Sequence, residues 1–216
     1  MKILNLYACV GGNRKLWSDE HEITAVELKP DIAAIYKDLY PNDKVIIGDA
    51  NKYLLDHYSE YDFIWLSRPC TTHSRANFWA SRNKSNRKKV MPDLTLYSEI
   101  LFLQNWYDGL FVAENVKPYY TPLLPPSIQL GRHLFWSNFE ISPVEVIDAD
   151  IHSGNQEEWK KTHGIDLSKY KIEGRKDQVY RNLVHPETGL HILNCALNTV
   201  PKKAIHSLFD DSVIYL

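Results

Sequence analysis

No apolar run in this 216-residue chain approaches the length a membrane-spanning helix needs, so none is expected. No charge of one sign dominates. Lys and Arg total 25 against 27 acids, a formal net charge of -2. That excludes a uniformly basic nucleic-acid binder but leaves room for a local basic patch. Cysteine is scarce: Cys9, Cys70 and Cys195 are an odd number without metal-ligand spacing. Free thiols in a reducing compartment are therefore expected. The nine histidines show no zinc spacing, so no metal is expected. Met1 to Leu6 is too short for the apolar core of a secretory leader, and a cytoplasmic protein is expected. There is no internal repeat, no low-complexity linker and no three-glycine dinucleotide pattern, nor a Lys-Ser or Lys-Thr pair after the first glycines. A cofactor carrying a pyrophosphate is thereby disfavoured.

What is present is a strand–helix alternation and a 44% hydrophobic content, enough for a sizeable core. Strands are predicted at Lys2 to Ala8, Glu22 to Glu27, Lys44 to Ile47, Tyr61 to Leu66 and Leu110 to Val116. Helices are predicted at Asp31 to Leu39 behind Pro30, at Asn51 to Tyr58 and at Leu94 to Trp106, with a short one beginning near Trp17 to Glu20. This order predicts an α/β fold with a doubly wound, mostly parallel sheet. From Pro143 the pattern turns irregular and polar. The expected organisation is a core over 1–142, an irregular insertion over 143–180, and a C-terminal segment, 181–216, packing back on the core.

Four predicted strand ends carry related signals. The first runs into Gly11-Gly12, which lets a ligand approach the backbone. The second ends in Glu27, suited to accept from ribose hydroxyls. The third ends at Asp49-Ala50, suited to read an amino group on a purine. The fourth ends at Pro69-Cys70. Together they describe a nucleoside-containing cofactor across the carboxyl edge of the sheet. A thiol at one strand end and the Glu114 carboxyl at the next suggest covalent catalysis beside a proton donor. From Phe63 to Pro92 there is no acid, while Arg68, Arg75, Arg82, Lys84, Arg87, Lys88 and Lys89 are interleaved with Phe78 and Trp79. The run is expected to be a mobile loop that contacts phosphates.

With these residues in view, the chain resembles the cytosine-5 DNA methyltransferases. Asn5-Leu6-Tyr7-Ala8-Cys9-Val10-Gly11-Gly12 resembles the family's Asp-Leu-Phe-Ala-Gly-x-Gly-Gly motif. Arg68-Pro69-Cys70 resembles its Pro-Pro-Cys motif, with Ser74 matching the Ser that follows, and Glu114-Asn115-Val116 is identical to Glu-Asn-Val. Gln129 to Phe135 resembles Gln-x-Arg-x-Arg with Arg132 off register. Arg181 to Glu187 resembles an Arg-x-Leu…Glu motif, and Leu197 to Pro201 resembles Gly-Asn-x-Val. Departures are Asn5 for Asp, Cys9 for Gly, Arg68 for Pro, and the lack of room for a large target-recognition domain.

The resemblance implies the Rossmann-like fold of S-adenosylmethionine-dependent methyltransferases with a small C-terminal appendage. It implies a DNA (cytosine-5-)-methyltransferase that turns S-adenosyl-L-methionine into S-adenosyl-L-homocysteine. Cys70 would be the nucleophile at carbon 6 of a flipped cytosine in double-stranded DNA, Glu114 the proton donor at ring N3, and Arg132 and Asn115 their supports. Either Arg68 or Arg132 is expected to lower the Cys70 pKa. Tyr7, Ala8, Val10, Gly11, Gly12, Glu27, Leu28, Asp49, Ala50, Pro69, Asn198 and Val200 would bind the cofactor. Ser74, Arg75, Arg82, Lys84, Arg87, Lys88 and Lys89 would bind DNA. Sequence choice would be short, relaxed or supplied by a partner chain, and the setting a bacterial or phage-infected cell. His133 and His191 are expected to be structural. Two other readings stay open: the same chemistry on RNA, or a catalytically silent DNA-binding accessory protein.

Overall fold

The computed structural model describes residues 1–83, 88–146 and 155–198. Its sheet has the order β3-β2-β1-β4-β5-β7-β6. The strands are β1 (Lys2–Leu6), β2 (Glu22–Glu27), β3 (Lys44–Ile47), β4 (Phe63–Leu66), β5 (Leu110–Val116), β6 (Ile128–Leu130) and β7 (His133–Ser137). The first five are mutually parallel, and β7 runs antiparallel to both β5 and β6. β4 is buried along its whole length, which is why Phe-Ile-Trp-Leu reads as an unbroken apolar run rather than an alternating one.

Alternation along the strands divides the core in two. Leu4, Leu6, Ile64, Leu66, Phe111 and Ala113 face α4 (Thr95–Trp106), through Leu96, Ile100 and Leu103, and α2 (Ala50–His57), through Leu54. Ile3, Phe63, Trp65 and Val112 face Ile192, Leu193 and Ala196 of α7 (Pro186–Leu197). α1 (Pro30–Leu39) packs with Val10 against Trp159 of α5 (Gln156–His163) and Val179 of α6 (Lys176–Arg181).

Two segments differ from expectation. Trp17 to Glu20 is turn and bend, not helix. The chain there folds around the buried Arg14 guanidinium, which donates to the Trp17 carbonyl at 2.7 Å and to both carboxylate oxygens of buried Asp43 at 2.9 and 3.1 Å. The first half of the expected basic loop is instead a helix, α3 (Arg75–Arg82), whose N-cap Ser74 accepts from the Asn77 N–H.

Strand order reverses between β1 and β4, because β2 and β3 build out on one side and β4 and β5 on the other. In an open α/β sheet such a reversal leaves a crevice at the carboxyl ends of those two strands. Tyr7 to Asn13 and Ser67 to Cys70 form its two lips.

Candidate active site

A cavity of about 680 Å³ occupies this crevice. Its cofactor end is shaped by a backbone turn after β1. Tyr7, Cys9 and Gly11 have φ values of 56°, 49° and 75°, so two residues with side chains occupy the left-handed region that glycine tolerates best. The Glu27 carboxylate fixes the turn, accepting from the Cys9 and Lys29 N–H groups at 3.0 Å each. Asp49 caps α2 by accepting from the Asn51 and Lys52 N–H groups at 2.8 and 3.1 Å. Asn5, standing at the motif's acid position, exchanges two side-chain hydrogen bonds with Asn13, at 3.0 and 3.3 Å.

Of the residues expected to hold a cofactor, Tyr7, Ala8, Gly12, Glu27, Leu28, Asp49, Ala50 and Pro69 line the cavity. Val10 and Gly11 lie off its wall: Val10 is buried against α1, and a Cβ on Gly11 would meet the Tyr40 ring at 2.4 Å. Their part is to allow the turn, not to touch a ligand. Asn198 caps α7 at the surface away from the cavity, and Val200 lies outside the described residues.

The other end of the cavity holds Cys70 and Glu114. Cys70 is at the turn after β4, where its carbonyl accepts from the His73 and Ser74 N–H groups at 3.0 and 2.9 Å. Burial pushes its thiol up to about 11; the Glu114 carboxylate adds to the rise and the Arg132 charge opposes it. Burial likewise raises the Glu114 carboxyl to about 7, against the pull of a Ser67 hydrogen bond and of Arg132. Asn115 Nδ2 donates to the Arg68 carbonyl at 3.0 Å, tying β5 to the loop that carries the thiol. Arg132 donates to the Arg181 carbonyl at 2.9 Å, so the same cation pins the 181–183 segment beside the site.

Arg68 does not act on the thiol. Its guanidinium turns to the opposite side of the loop, pairing with Asp93 at 2.9 Å and Glu99 at 2.8 Å and donating to the Tyr7 hydroxyl. Glu99 also accepts from Tyr7 at 2.5 Å and from Asn51 at 2.9 Å. The pairing of Arg68 with α4 replaces the rigidity that a proline would give the loop, and leaves Arg132 as the cation felt by Cys70.

Three contributors go beyond the sequence expectations. His133 lines the cavity, buried, with Nε2 3.6 Å from Glu114 Oε1. Burial, reinforced by Arg132 and His163, holds its pKa well below the usual histidine value, so the ring is neutral. It sits where Gln-x-Arg-x-Arg, counted from Gln129, places its last arginine, and that register is the available signal. Asn182 Oδ1 lies 4.0 Å from Cys70 Sγ. Residues 172–175, in the stretch expected as an insertion, form an outer wall of the cavity, a contact that no local pattern announces.

Among the expected nucleic-acid contacts, Ser74 caps α3, and Arg75, Arg82, Lys88 and Lys89 are exposed beside the Cys70 turn. Lys84 and Arg87 lie outside the described residues. Among the described residues no side-chain group is arranged to hold a metal ion, and no helix is long and apolar enough to cross a membrane.

A seven-stranded, mostly parallel sheet whose strand order reverses over a crevice at its carboxyl edge is the Rossmann-like fold of S-adenosylmethionine-dependent methyltransferases. The chain belongs to the C-5 cytosine-specific DNA methylase family, whose sequence model matches residues 1–122. No curated protein sequence matches it. Solved structures resemble it over part of its length. A hypothetical protein of Thermus thermophilus is 18% identical, covering 67% of this chain and 75% of that one, with a TM-score of 0.42. A Spodoptera frugiperda DNMT2 mutant is 25% identical, covering 54% and 35%, with a TM-score of 0.37. NSun6 from Pyrococcus horikoshii is 21% identical, covering 56% and 35%, with a TM-score of 0.40. The matched part spans about a third of the last two proteins.

The cofactor is S-adenosyl-L-methionine, and the residues present fit it. Two carboxylates, Glu27 and Asp49, stand at the cavity's cofactor end, suited to ribose hydroxyls and an amino group. The left-handed turn, held to Glu27 through the Cys9 N–H, keeps the backbone close to that end of the cavity.

Proposed function

We propose that this chain methylates carbon 5 of cytosine in DNA. The observation that carries the reading is the meeting of Cys70, after β4, and Glu114, near the end of β5, on one cavity that also reaches Glu27 and Asp49, with the charge of Arg132 felt by both from the β6–β7 turn behind the wall. Glu27 and Asp49 hold the ribose and the adenine. S-adenosylmethionine supplies an electrophilic methyl group and departs as S-adenosylhomocysteine.

Carbon 5 of cytosine is a poor nucleophile until carbon 6 is saturated. The Cys70 thiolate adds at carbon 6, forming a C–S bond, while Glu114 donates its proton to ring N3. The ring then has the electron density to take the methyl group at carbon 5. Loss of the carbon 5 proton to a solvent base restores the double bond, expels Cys70 as thiolate, and returns the N3 proton to Glu114. Arg132 stabilises the thiolate. A cytosine stacked in a duplex cannot reach the cavity, so the base enters flipped or from a single strand.

Tritium transfer from labelled S-adenosylmethionine to cytosine-containing DNA, with RNA alongside, tests the reading. Wild type should label DNA, Cys70→Ala should not, and 5-fluorocytosine DNA should trap wild type covalently. Wild-type turnover by Cys70→Ala, or labelling of RNA alone, would overturn it.

A further inference from the structure

A second cavity, of about 420 Å³, begins where the first ends: Thr71 borders both. It lies between α3 and the segment at Lys89 and Val90, with Tyr119 at its back. That volume is within the range of small-molecule sites. Its wall is aromatic. Phe78 and Tyr119 stack with ring centroids 4.2 Å apart and planes within 6° of parallel. Tyr119 in turn meets Tyr120 edge-on at 5.1 Å, and its N–H donates to the His73 carbonyl at 3.1 Å. The wall is therefore braced from behind. In front stands the exposed Arg82, its guanidinium carbon 6.0 Å from the Phe78 centroid, with Lys89 at the rim.

The polar groups around the rim are committed to the protein. Ser81 donates to the Asn77 carbonyl at 2.8 Å, Asn77 Nδ2 to the Thr71 carbonyl at 2.9 Å, and Thr72 Oγ1 accepts from the Asp93 N–H at 3.0 Å. What the lining offers a ligand is the aromatic surface of Phe78 and Tyr119, two cations, and the hydroxyl-bearing Thr71 and Tyr119. This is the chemistry of a stacking platform for nucleic acid, sequence-tolerant because every base has a π-face. The surroundings match it in charge, since no acid occurs from Phe63 to Pro92.

We propose that this second cavity is a nucleotide subsite that takes the unpaired base adjoining the target cytosine, with its phosphate held by Arg82 and Lys89, and that the substrate is DNA single-stranded at the target. The proposal rests on the reading that the Cys70 cavity receives a cytosine. The two cavities share Thr71, so a strand with its cytosine at Cys70 leads its neighbouring nucleotide toward the Phe78 side. A paired neighbour, covered on both faces by its own stack, cannot enter.

The test is equilibrium binding by fluorescence anisotropy, with S-adenosylhomocysteine present, of short labelled single strands bearing one cytosine. The strand has either all its bases or an abasic residue on the 5′ or the 3′ side of the cytosine. The proteins are wild type, Phe78→Ala, and Ser81→Phe, which fills the cavity without removing the wall. In wild type, one of the two abasic positions should weaken binding about tenfold. Each variant should weaken the intact strand by about the same factor, and the abasic residue should then cost nothing further. Wild-type binding that is indifferent to both abasic positions would overturn the proposal. So would additive losses, or a duplex that binds tighter than the single strand and is weakened equally by Ser81→Phe. Unchanged S-adenosylhomocysteine affinity shows that the variants are folded. Methyl transfer to the intact strand is read separately: transfer without the coupling sinks the subsite alone, and absence of transfer sinks the reading it rests on.

Discussion

His133 Nε2 stands 3.6 Å from Glu114 Oε1, both side chains buried, on antiparallel neighbours β7 and β5. A neutral ring there leaves the Glu114 carboxyl up at about 7, where an arginine would pull it down. The Cys70 thiol, up at about 11, completes a pair whose ordinary protonation order is inverted from the one the proposed reaction needs. The reactive form, thiolate with carboxylic acid, is a minor species that follows the same pH dependence as the major one. kcat/KM should therefore rise to pH about 7, stay level, and fall only near pH 11. His133→Arg should move the lower limb to more acid pH, and Glu114→Gln should remove it, leaving a slow rate that climbs with pH. A lower limb that stays put in both variants would show that Glu114 does not set it.

Glu27 bridges the two sides of the cofactor end, so Glu27→Gln keeps one backbone acceptor and loses the charge. Calorimetry should show S-adenosylhomocysteine binding weaker by about 1–3 kcal/mol. Equal affinity would place the ribose elsewhere.

Cys9 occupies the left-handed region at φ 49°, at the position where the family motif has glycine. Relief of that conformation, less the extra chain entropy of glycine, should make Cys9→Gly more stable by about 0.5–1 kcal/mol in urea denaturation. A loss of stability would mean that thiol packing outweighs the strain.

Asp43 is buried and receives Arg14 twice and the Tyr36 hydroxyl at 2.8 Å. Asp43→Ala removes the buried carboxylate and leaves the Arg14 guanidinium to the exposed Asp19, at 2.6 Å, and the Trp17 carbonyl. The expected cost is about 2–3 kcal/mol, visible as a lowered denaturation midpoint. An effect below about 1 kcal/mol would show that water reaches the guanidinium.

The parallel strands are legible in the sequence because burial on both faces makes them plain apolar runs, and the candidate thiol and acid because one follows β4 across the Pro69 stop and the other lies near the end of β5. The helix at α3 is hidden by its own cations: Arg75 and Arg82 suggest a solvated loop, and the Ser74 cap beside them is a weak signal by comparison. The direction of Arg68 is not legible, because proximity in sequence to Cys70 says nothing about which way a long side chain turns; Glu99, on the far side of the loop, decides that. His133 is equally hard to read, because a histidine on a buried strand is ordinarily a packing residue, and only the tertiary pairing of β5 with β7 brings it to the acid.

α7 covers the sheet face formed by Ile3, Trp65 and Val112, and at Gly189 it approaches the Asn13 backbone so closely that a Cβ would lie 2.3 Å from the Asn13 carbonyl oxygen. The first turn of the chain is thus completed by one of the last helices described. During synthesis at the ribosome, that sheet face stays bare and the Asn13 turn lacks its support until residues 186–197 have emerged. Closing so long a loop is a slow, late event. Until then the nascent chain should need chaperone cover, and cofactor binding should follow the docking of α7 rather than precede it.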